Sequence, residues 1–211
     1  EARFRYQLGR AYDKDSNYGQ SMKFYRQAVD MDYSAASANL GYAYEFGVGT
    51  AVDYAKAFDL YNKVLKKGDC TVCLNLGTMY DNGYGVNTDY QKAIELYNRS
   101  IDSNVNKGQA YANLAYMYYE RQGVDKDPKK ALDLFKKSVA EGGSGDAFYG
   151  MARVYDDSHG AAYDAAQAAY WYEKALRGGY GFARDQLHDN SNAWTLGSRQ
   201  ALQVRLHQAG V

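Results

Sequence analysis

A five-residue pattern recurs along this chain: Leu or Met, a small residue, two variable residues and tyrosine. Its tyrosines are Tyr12, Tyr44, Tyr80, Tyr118 and Tyr155, so successive copies lie 32 to 38 residues apart. This period is too long for a coiled-coil heptad and too short for an independent domain. It indicates stacked helical hairpins that bury their apolar faces against their neighbours, and proteins built in this way usually bind other molecules.

Turn and capping residues divide each copy into two helices. Glycines that permit positive φ angles mark the turn, most clearly at Gly47-Val48-Gly49 and Gly83-Tyr84-Gly85. The second helix is then predicted to begin at Asn or Asp, whose side chain accepts a hydrogen bond from a free helix amide. This column consists of Asn17, Asp53, Asp89, Asp127 and Asp164.

Small and aromatic residues occupy matching columns in the two helices. The first helices carry Gly9, Gly41, Gly77, Ala115 and Ala152. The second helices carry Ser21, Ala57, Ala93, Ala131 and Ala168 and, four residues later, Tyr25, Tyr61, Tyr97, Phe135 and Tyr172. Residues four apart share one face of a helix. The columns predict that the helices of a hairpin pack closely, small residue against small residue.

Composition argues against several classes of function. The 25 Lys and Arg residues balance 25 Asp and Glu residues, so nucleic acid is not an expected partner. No apolar run approaches the roughly 18 residues of a membrane span, and membrane insertion is not expected. His159, His188 and His207 show neither metal-ligand spacing nor a nucleophile motif. We therefore expect no enzyme activity, no metal and no cofactor.

The two cysteines, Cys70 and Cys73, form a Cys-x-x-Cys pair. This spacing occurs in redox sites and in half of many zinc sites. Neither a second ligand pair nor a redox context accompanies it. Packing in the core is the favoured interpretation, with a local disulfide and redox sensing as alternatives.

Two segments, ANLGYAYEFGVGTAVDYAKAFDLYNKVLKKG and LNLGTMYDNGYGVNTDYQKAIELYNRS, resemble Sel1-like repeats of the tetratricopeptide superfamily. The resemblance implies an all-α, right-handed superhelical solenoid of about five antiparallel helix pairs and a partial sixth. We expect a repeat domain over residues 1–189, followed by a tail over 190–211. The expected repeats are 1–31, 32–67, 68–104, 105–142, 143–179 and the partial 180–189.

The resemblance also implies a non-catalytic adaptor, with first helices lining a concave face that receives a protein or peptide. An amide precedes the core Leu in repeats two to four, and residues three positions later share its face. The predicted binding residues are Asn39, Tyr42, Asn75, Thr78, Asn113 and Tyr116. The alternative is that the amides only bond neighbouring helices.

The tail admits two interpretations. Leu202 and Leu206 share a helical face that would cap the last repeat. Alternatively, residues 198–211 resemble the opening helix of a peptidoglycan-binding domain, which would make peptidoglycan a partner through a missing downstream domain. The alternative function is accordingly a regulatory or substrate-presenting arm of a larger, exported bacterial enzyme or cell-wall-associated protein. An exported or periplasmic location is favoured over a cytoplasmic one, and uncapped ends leave a homodimer open.

Overall fold

A computed structural model describes residues 1–143, 145–157, 160, 162–178 and 195–208. Over these ranges the secondary structure consists of eleven α-helices and one 3-10 turn, without a strand. The predicted all-α fold is confirmed. The helices are α1 (Ala2–Lys14), α2 (Tyr18–Asp30), α3 (Ser34–Phe46), α4 (Tyr54–Lys66), α5 (Cys73–Asn82), α6 (Tyr90–Asp102), α7 (Lys107–Glu120), α8 (Pro128–Ala140), α9 (Gly145–Asp156), α10 (Ala165–Arg177) and α11 (Leu196–Gln208).

The helices form two compact units, Glu1–Val105 and Asn106–Val211. In the first unit, α1 packs on α2, α3 on α4 and α5 on α6, and contacts between α2 and α3 and between α4 and α5 join the hairpins. In the second unit, α7 packs on α8 and α9 on α10, while α11 packs on α10. The expected partial sixth repeat, residues 180–189, lies outside the described residues.

The predicted N-caps begin the second helices. Asp53 accepts a hydrogen bond from the Lys56 amide at 3.0 Å, and Asp89 accepts one from the Lys92 amide at 3.1 Å. The other three capping residues, Asn17, Asp127 and Asp164, also accept backbone amides through their side chains. Because each bond satisfies a donor that the helix itself leaves unpaired, this column defines where each second helix starts.

The turns between paired helices use left-handed backbone conformations. Gly47 and Gly49 have φ angles of 70° and 69°, and Gly83 and Gly85 repeat them at 72° and 69°. In the fourth repeat a non-glycine residue, Arg121, adopts the same conformation with φ of 64°. The predicted turn therefore persists where only one of its glycines remains.

A tyrosine ring explains the glycines of the first helices. A Cβ atom added to Gly41 would lie 2.7 Å from Cε1 of Tyr61, and one added to Gly77 would lie 2.6 Å from Cε1 of Tyr97. Both rings are fully buried on the second helix of the same hairpin. The expectation of small residues packing against small residues was therefore wrong at these positions, because the glycine accommodates the large ring.

The cysteine pair lies where α5 begins. Cys70 opens the 3-10 turn Cys70–Val72, and Cys73 is the first residue of α5. Cys73 is fully buried in a cluster with Val72 and Leu76, so its predicted packing is confirmed. The two residues are also joined by a disulfide across Cα atoms 4.9 Å apart. The local disulfide, which was the less favoured interpretation, is therefore present together with the core packing of Cys73.

The tail helix α11 packs within the second unit. Leu202 is buried in a cluster that includes Tyr149 and Tyr172, and Leu206 packs partly buried against it. Ser198 at the start of α11 donates a hydrogen bond to Asp156 Oδ1 at 2.5 Å. The two interpretations of the tail, as a cap or as the start of a following domain, both stay predictions.

We expect Gly41→Ala to destabilise the chain by about 1–3 kcal/mol, because its methyl group would overlap the Tyr61 ring. The matched control is Gly19→Ala on α2, where an added Cβ meets nothing within 4 Å. This control should stabilise by about 0.4–1 kcal/mol, since alanine restricts the unfolded chain. Urea unfolding of the three proteins measures both changes, and equal effects would contradict the ring-on-glycine packing.

Candidate functional site

A tyrosine-carboxylate pair joins the two helices of each hairpin in the first unit. The tyrosine lies on the second helix, and its hydroxyl donates to an Asp or Glu that follows the core tyrosine of the first helix. The pairs are Tyr25 with Asp13, Tyr61 with Glu45 at 2.7 Å and Tyr97 with Asp81 at 3.3 Å. Because the rings are buried, these bonds satisfy hydroxyl groups that have left water.

Amides from the next hairpin complete two of these pairs. Asn39 Nδ2 donates to the Tyr25 hydroxyl at 3.0 Å. Asn75 Nδ2 donates to Glu45 Oε2 at 3.0 Å and lies 3.4 Å from the Tyr61 hydroxyl. The amides therefore bond neighbouring helices, as the alternative interpretation of this column predicted.

In the second unit, the fourth repeat replaces all three members of this network. Phe135 stands in place of the tyrosine, Tyr119 in place of the carboxylate and Gly150 in place of the amide. A Cβ atom at Gly150 would overlap the Phe135 ring, so no side chain fits there. In the following repeat the polar pair returns, with the Tyr172 hydroxyl 3.2 Å from Asp156 Oδ2. The three positions therefore form one structural group.

A groove of about 390 Å³ lies between α1, α2 and α3 in the first unit. Asp13 of α1, Tyr18 and Ser21 of α2, and Asn39 and Tyr42 of α3 line it. We call this cavity the Tyr42 groove. It brings together two of the predicted binding residues, Asn39 and Tyr42, with three residues that the sequence analysis did not select.

Exposed aromatic rings border the Tyr42 groove. Tyr42 is 52% exposed and Tyr18 is 39% exposed. The Tyr42 ring lies 4.5 Å, centroid to centroid, from Phe46, which is 55% exposed. Exposed aromatic clusters of this kind are common where proteins bind partners.

Five segments of the chain match the Sel1 repeat family: residues 2–33, 34–69, 72–105, 108–143 and 146–180. The chain belongs to the Sel1 repeat family. Sel1 repeat proteins are in general non-catalytic scaffolds that bind proteins. The resemblance stated from the sequence is confirmed.

Two solved structures resemble this Sel1 repeat chain. A Sel1 repeat protein from Oxalobacter formigenes is 25% identical, with a TM-score of 0.76, and the match covers 96% of this chain and 84% of that protein. A protective antigen of uropathogenic Escherichia coli strains that displays an SLR fold is also 25% identical, with a TM-score of 0.74. That match covers 100% of this chain but 46% of the antigen. No curated protein matches the chain in sequence.

Tyr42 differs from the other five predicted binding residues because it alone is exposed. Thr78 donates through Oγ1 to the Leu74 carbonyl of its own helix at 3.1 Å. In the second unit, Asn113 accepts from Gln109 at 3.0 Å, and the Tyr116 hydroxyl donates to the Asp146 carbonyl at 2.9 Å. A role in binding stays a prediction for all six residues.

Sequence reasoning missed Asp13, Tyr18 and Ser21 as groove residues. The signal for Ser21 was a departure from its column, which holds alanine in the other four repeats. The signal for Asp13 and Tyr18 was the short turn of this first Sel1 repeat, since α1 ends at Lys14 and α2 already begins at Tyr18. Of the three, only Ser21 is specific to repeat one by residue type, because Asp13 and Tyr18 have counterparts in other repeats and only the short turn beside them differs.

Burial shapes the electrostatics of the Tyr42 groove. The Tyr25 pKa is raised to about 12, mainly because the ring is buried and also because its hydroxyl donates to Asp13. Asp13 forms no ion pair with any described residue. A hydrogen-bonding interaction with the buried Ser21 hydroxyl lowers the Tyr25 pKa again. The groove therefore combines a carboxylate with aromatic surface.

The described parts of the chain lack the features of two other kinds of site. No group of three or more His, Cys, Asp or Glu side chains there could hold a metal ion. No helix among the same residues is both long and apolar enough to span a membrane.

We expect Asn75→Ala to lower the free energy of unfolding by about 1–3 kcal/mol, because it removes a donor from the buried Glu45 carboxylate. The matched control is Asn98→Ala on α6, whose exposed amide bonds only its own helix at Ile94. That change should stay within about 0.5 kcal/mol of wild type. Chemical denaturation compares the two variants, and an equally small effect of both would show that the bridge is not structural.

Alkaline pH should unfold the chain through its buried tyrosines. Burial raises the pKa of Tyr25 to about 12 and raises those of Tyr61 and Tyr172 further, whereas unfolded tyrosine ionises near 10. A raised pKa contributes stability that is complete below the unfolded value and is lost as pH rises through the folded value.

The test follows tyrosinate absorbance and helical circular dichroism together during an alkaline titration. Tyr25, Tyr61 and Tyr172 should ionise only above pH 10, together with the loss of helix. Ionisation of every tyrosine near pH 10 without unfolding would contradict the burial.

Proposed function

We propose that this chain is a non-catalytic interaction scaffold that binds an extended peptide segment of a partner protein in the Tyr42 groove. The observation that carries the proposal is the pair of exposed tyrosines, Tyr18 and Tyr42, that line a cavity of about 390 Å³. The general role of Sel1 repeat proteins as protein-binding scaffolds supports it.

Aromatic surface and backbone-bonding groups suit this kind of ligand. Tyr42 and Phe46 offer rigid rings, and tyrosine is among the residues that contribute most binding energy at protein interfaces. Asn39 uses one amide hydrogen on Tyr25, which leaves its second hydrogen and its carbonyl for the backbone of a peptide. Peptide binding therefore requires no disruption of the network that joins the hairpins.

The composition of the groove supports binding rather than catalysis. Its nucleophilic side chain, Ser21, is fully buried, and no histidine is among the described residues that line the cavity. A serine nucleophile needs a base within hydrogen-bonding distance. The proposed scaffold therefore acts by holding its partner.

A second candidate is that the repeats form the regulatory or substrate-presenting arm of a larger protein. The observation in its favour is that this chain matches only 46% of the length of the E. coli antigen. In that case the Tyr42 groove would bind a segment of an attached domain or of its substrate. The predicted residues Asn75 and Thr78, and separately Asn113 and Tyr116, remain proposed contact sets under either candidate.

Selection of a random peptide library on the purified chain tests the proposed function. Selected peptides should lose at least about tenfold in affinity, roughly 1.4 kcal/mol, for Tyr42→Ala because the exposed ring is removed. The matched control is Tyr84→Ala, which removes an exposed tyrosine elsewhere in the first unit. Melting temperatures of both variants verify the fold. The proposal fails if no peptide is selected, or if Tyr42→Ala binds the selected peptides as well as wild type does.

A further inference from the structure

We infer that the Tyr42 groove recognises a basic side chain, lysine or arginine, of the bound peptide, with Asp13 as the countercharge and Tyr18 and Tyr42 as aromatic walls. This inference rests on the proposed function and specifies its ligand.

Asp13 has unused capacity to accept hydrogen bonds. Its counterpart in repeat two, Glu45, receives both Tyr61 and Asn75 on Oε2 and is buried, whereas Asp13 is only half-buried. In repeat one the corresponding amide, Asn39, donates to the Tyr25 hydroxyl instead, so Tyr25 is the donor that reaches Asp13. Asp13 is also the one charged residue among the described residues that line the groove. A partly exposed carboxylate with a vacant oxygen favours a cation.

A basic side chain supplies the donors that Asp13 can accept. An ammonium or guanidinium group has several N–H donors and no acceptor, so it can donate to the Asp13 oxygen that Tyr25 does not use. Ser21 is fully buried, so a ligand in the groove does not contact it.

The aromatic rings of the groove also favour a basic side chain. A cation over the face of a tyrosine is stabilised by the ring's quadrupole. This chain already uses that contact, since Lys56 Nζ lies 5.2 Å from the Tyr44 ring centroid and Lys92 Nζ lies 5.1 Å from that of Tyr80. Among the described residues no cation lies over Tyr18 or Tyr42. The groove thus has a carboxylate and rings but lacks the cation that completes the arrangement elsewhere.

The test titrates the isotopically labelled chain with a capped Ala-Arg-Ala tripeptide and follows the Asn39 side-chain amide and the groove tyrosines by NMR. We expect saturable shifts confined to these residues. The same tripeptide with citrulline, which has nearly the same shape without the charge, should bind at least about tenfold more weakly, the loss expected for one charge-assisted hydrogen bond.

Asp13→Asn should abolish the preference for arginine over citrulline, because the amide keeps an acceptor for Tyr25 but removes the charge. The matched control is Asp15→Asn, which removes an exposed charge two residues further along the chain. It should preserve the preference. Melting temperature and the position of the Tyr25 resonances establish that both variants retain the fold.

The outcomes separate this inference from the proposed function. Equal binding of arginine and citrulline, an unchanged preference in Asp13→Asn, or no saturable shift with the arginine tripeptide each overturns the basic-residue inference. Selection of neutral or acidic peptides that depend on Tyr42 would retain the scaffold while giving its ligand a different chemistry. Failure of the library selection overturns the scaffold, whatever the tripeptide does.

Discussion

The ring of the second-helix tyrosine lies on the glycine of the first helix, and its hydroxyl donates to a carboxylate on that same helix. One side chain therefore fixes both how closely the two helices approach and how they are aligned. In repeat two, Tyr61 contacts Gly41 and donates to Glu45, and Asn75 from the next hairpin donates to that carboxylate. Packing within a hairpin and stacking between hairpins thus depend on one buried polar group, for which every missing bond is costly.

Much of this arrangement could be predicted from the sequence, because it repeats. The caps from Asn17 to Asp164 and the left-handed turn glycines depend on local backbone chemistry, which a column of aligned residues reveals. Partners across helices could not be predicted in the same way. Spacing places Gly41 on an inner face but does not say that a ring meets it. Likewise, a Cys-x-x-Cys pair at a helix start is compatible with core packing and with a disulfide. The spacing did not distinguish between the two, and both occur.

In the candidate site, membership of an aligned column was a poor guide to a role in binding. Asn39 and Tyr42 were predicted because they belong to columns, yet Asn39 and Asn75 of the amide column bridge neighbouring helices. Asp13, Tyr18 and Ser21 were missed because their role comes from departures: a shortened turn and a hydroxyl in a column of alanines. In a repeat protein the shared residues are needed for stacking, so places where one repeat departs in turn length or in a single side chain provide better evidence of binding.

Comparison between repeats shows that an open carboxylate is not required by the fold. In the second unit, Phe135, Tyr119 and Gly150 replace the whole polar group, and the hairpins still stack through apolar contacts. Where the group is kept, as at Glu45, the carboxylate is buried and receives donors from two helices. In repeat one the carboxylate is kept, but Asp13 is only half-buried and lines a groove, so it remains accessible to a ligand. A donor-rich side chain in the groove can bond the Asp13 oxygen that Tyr25 does not use.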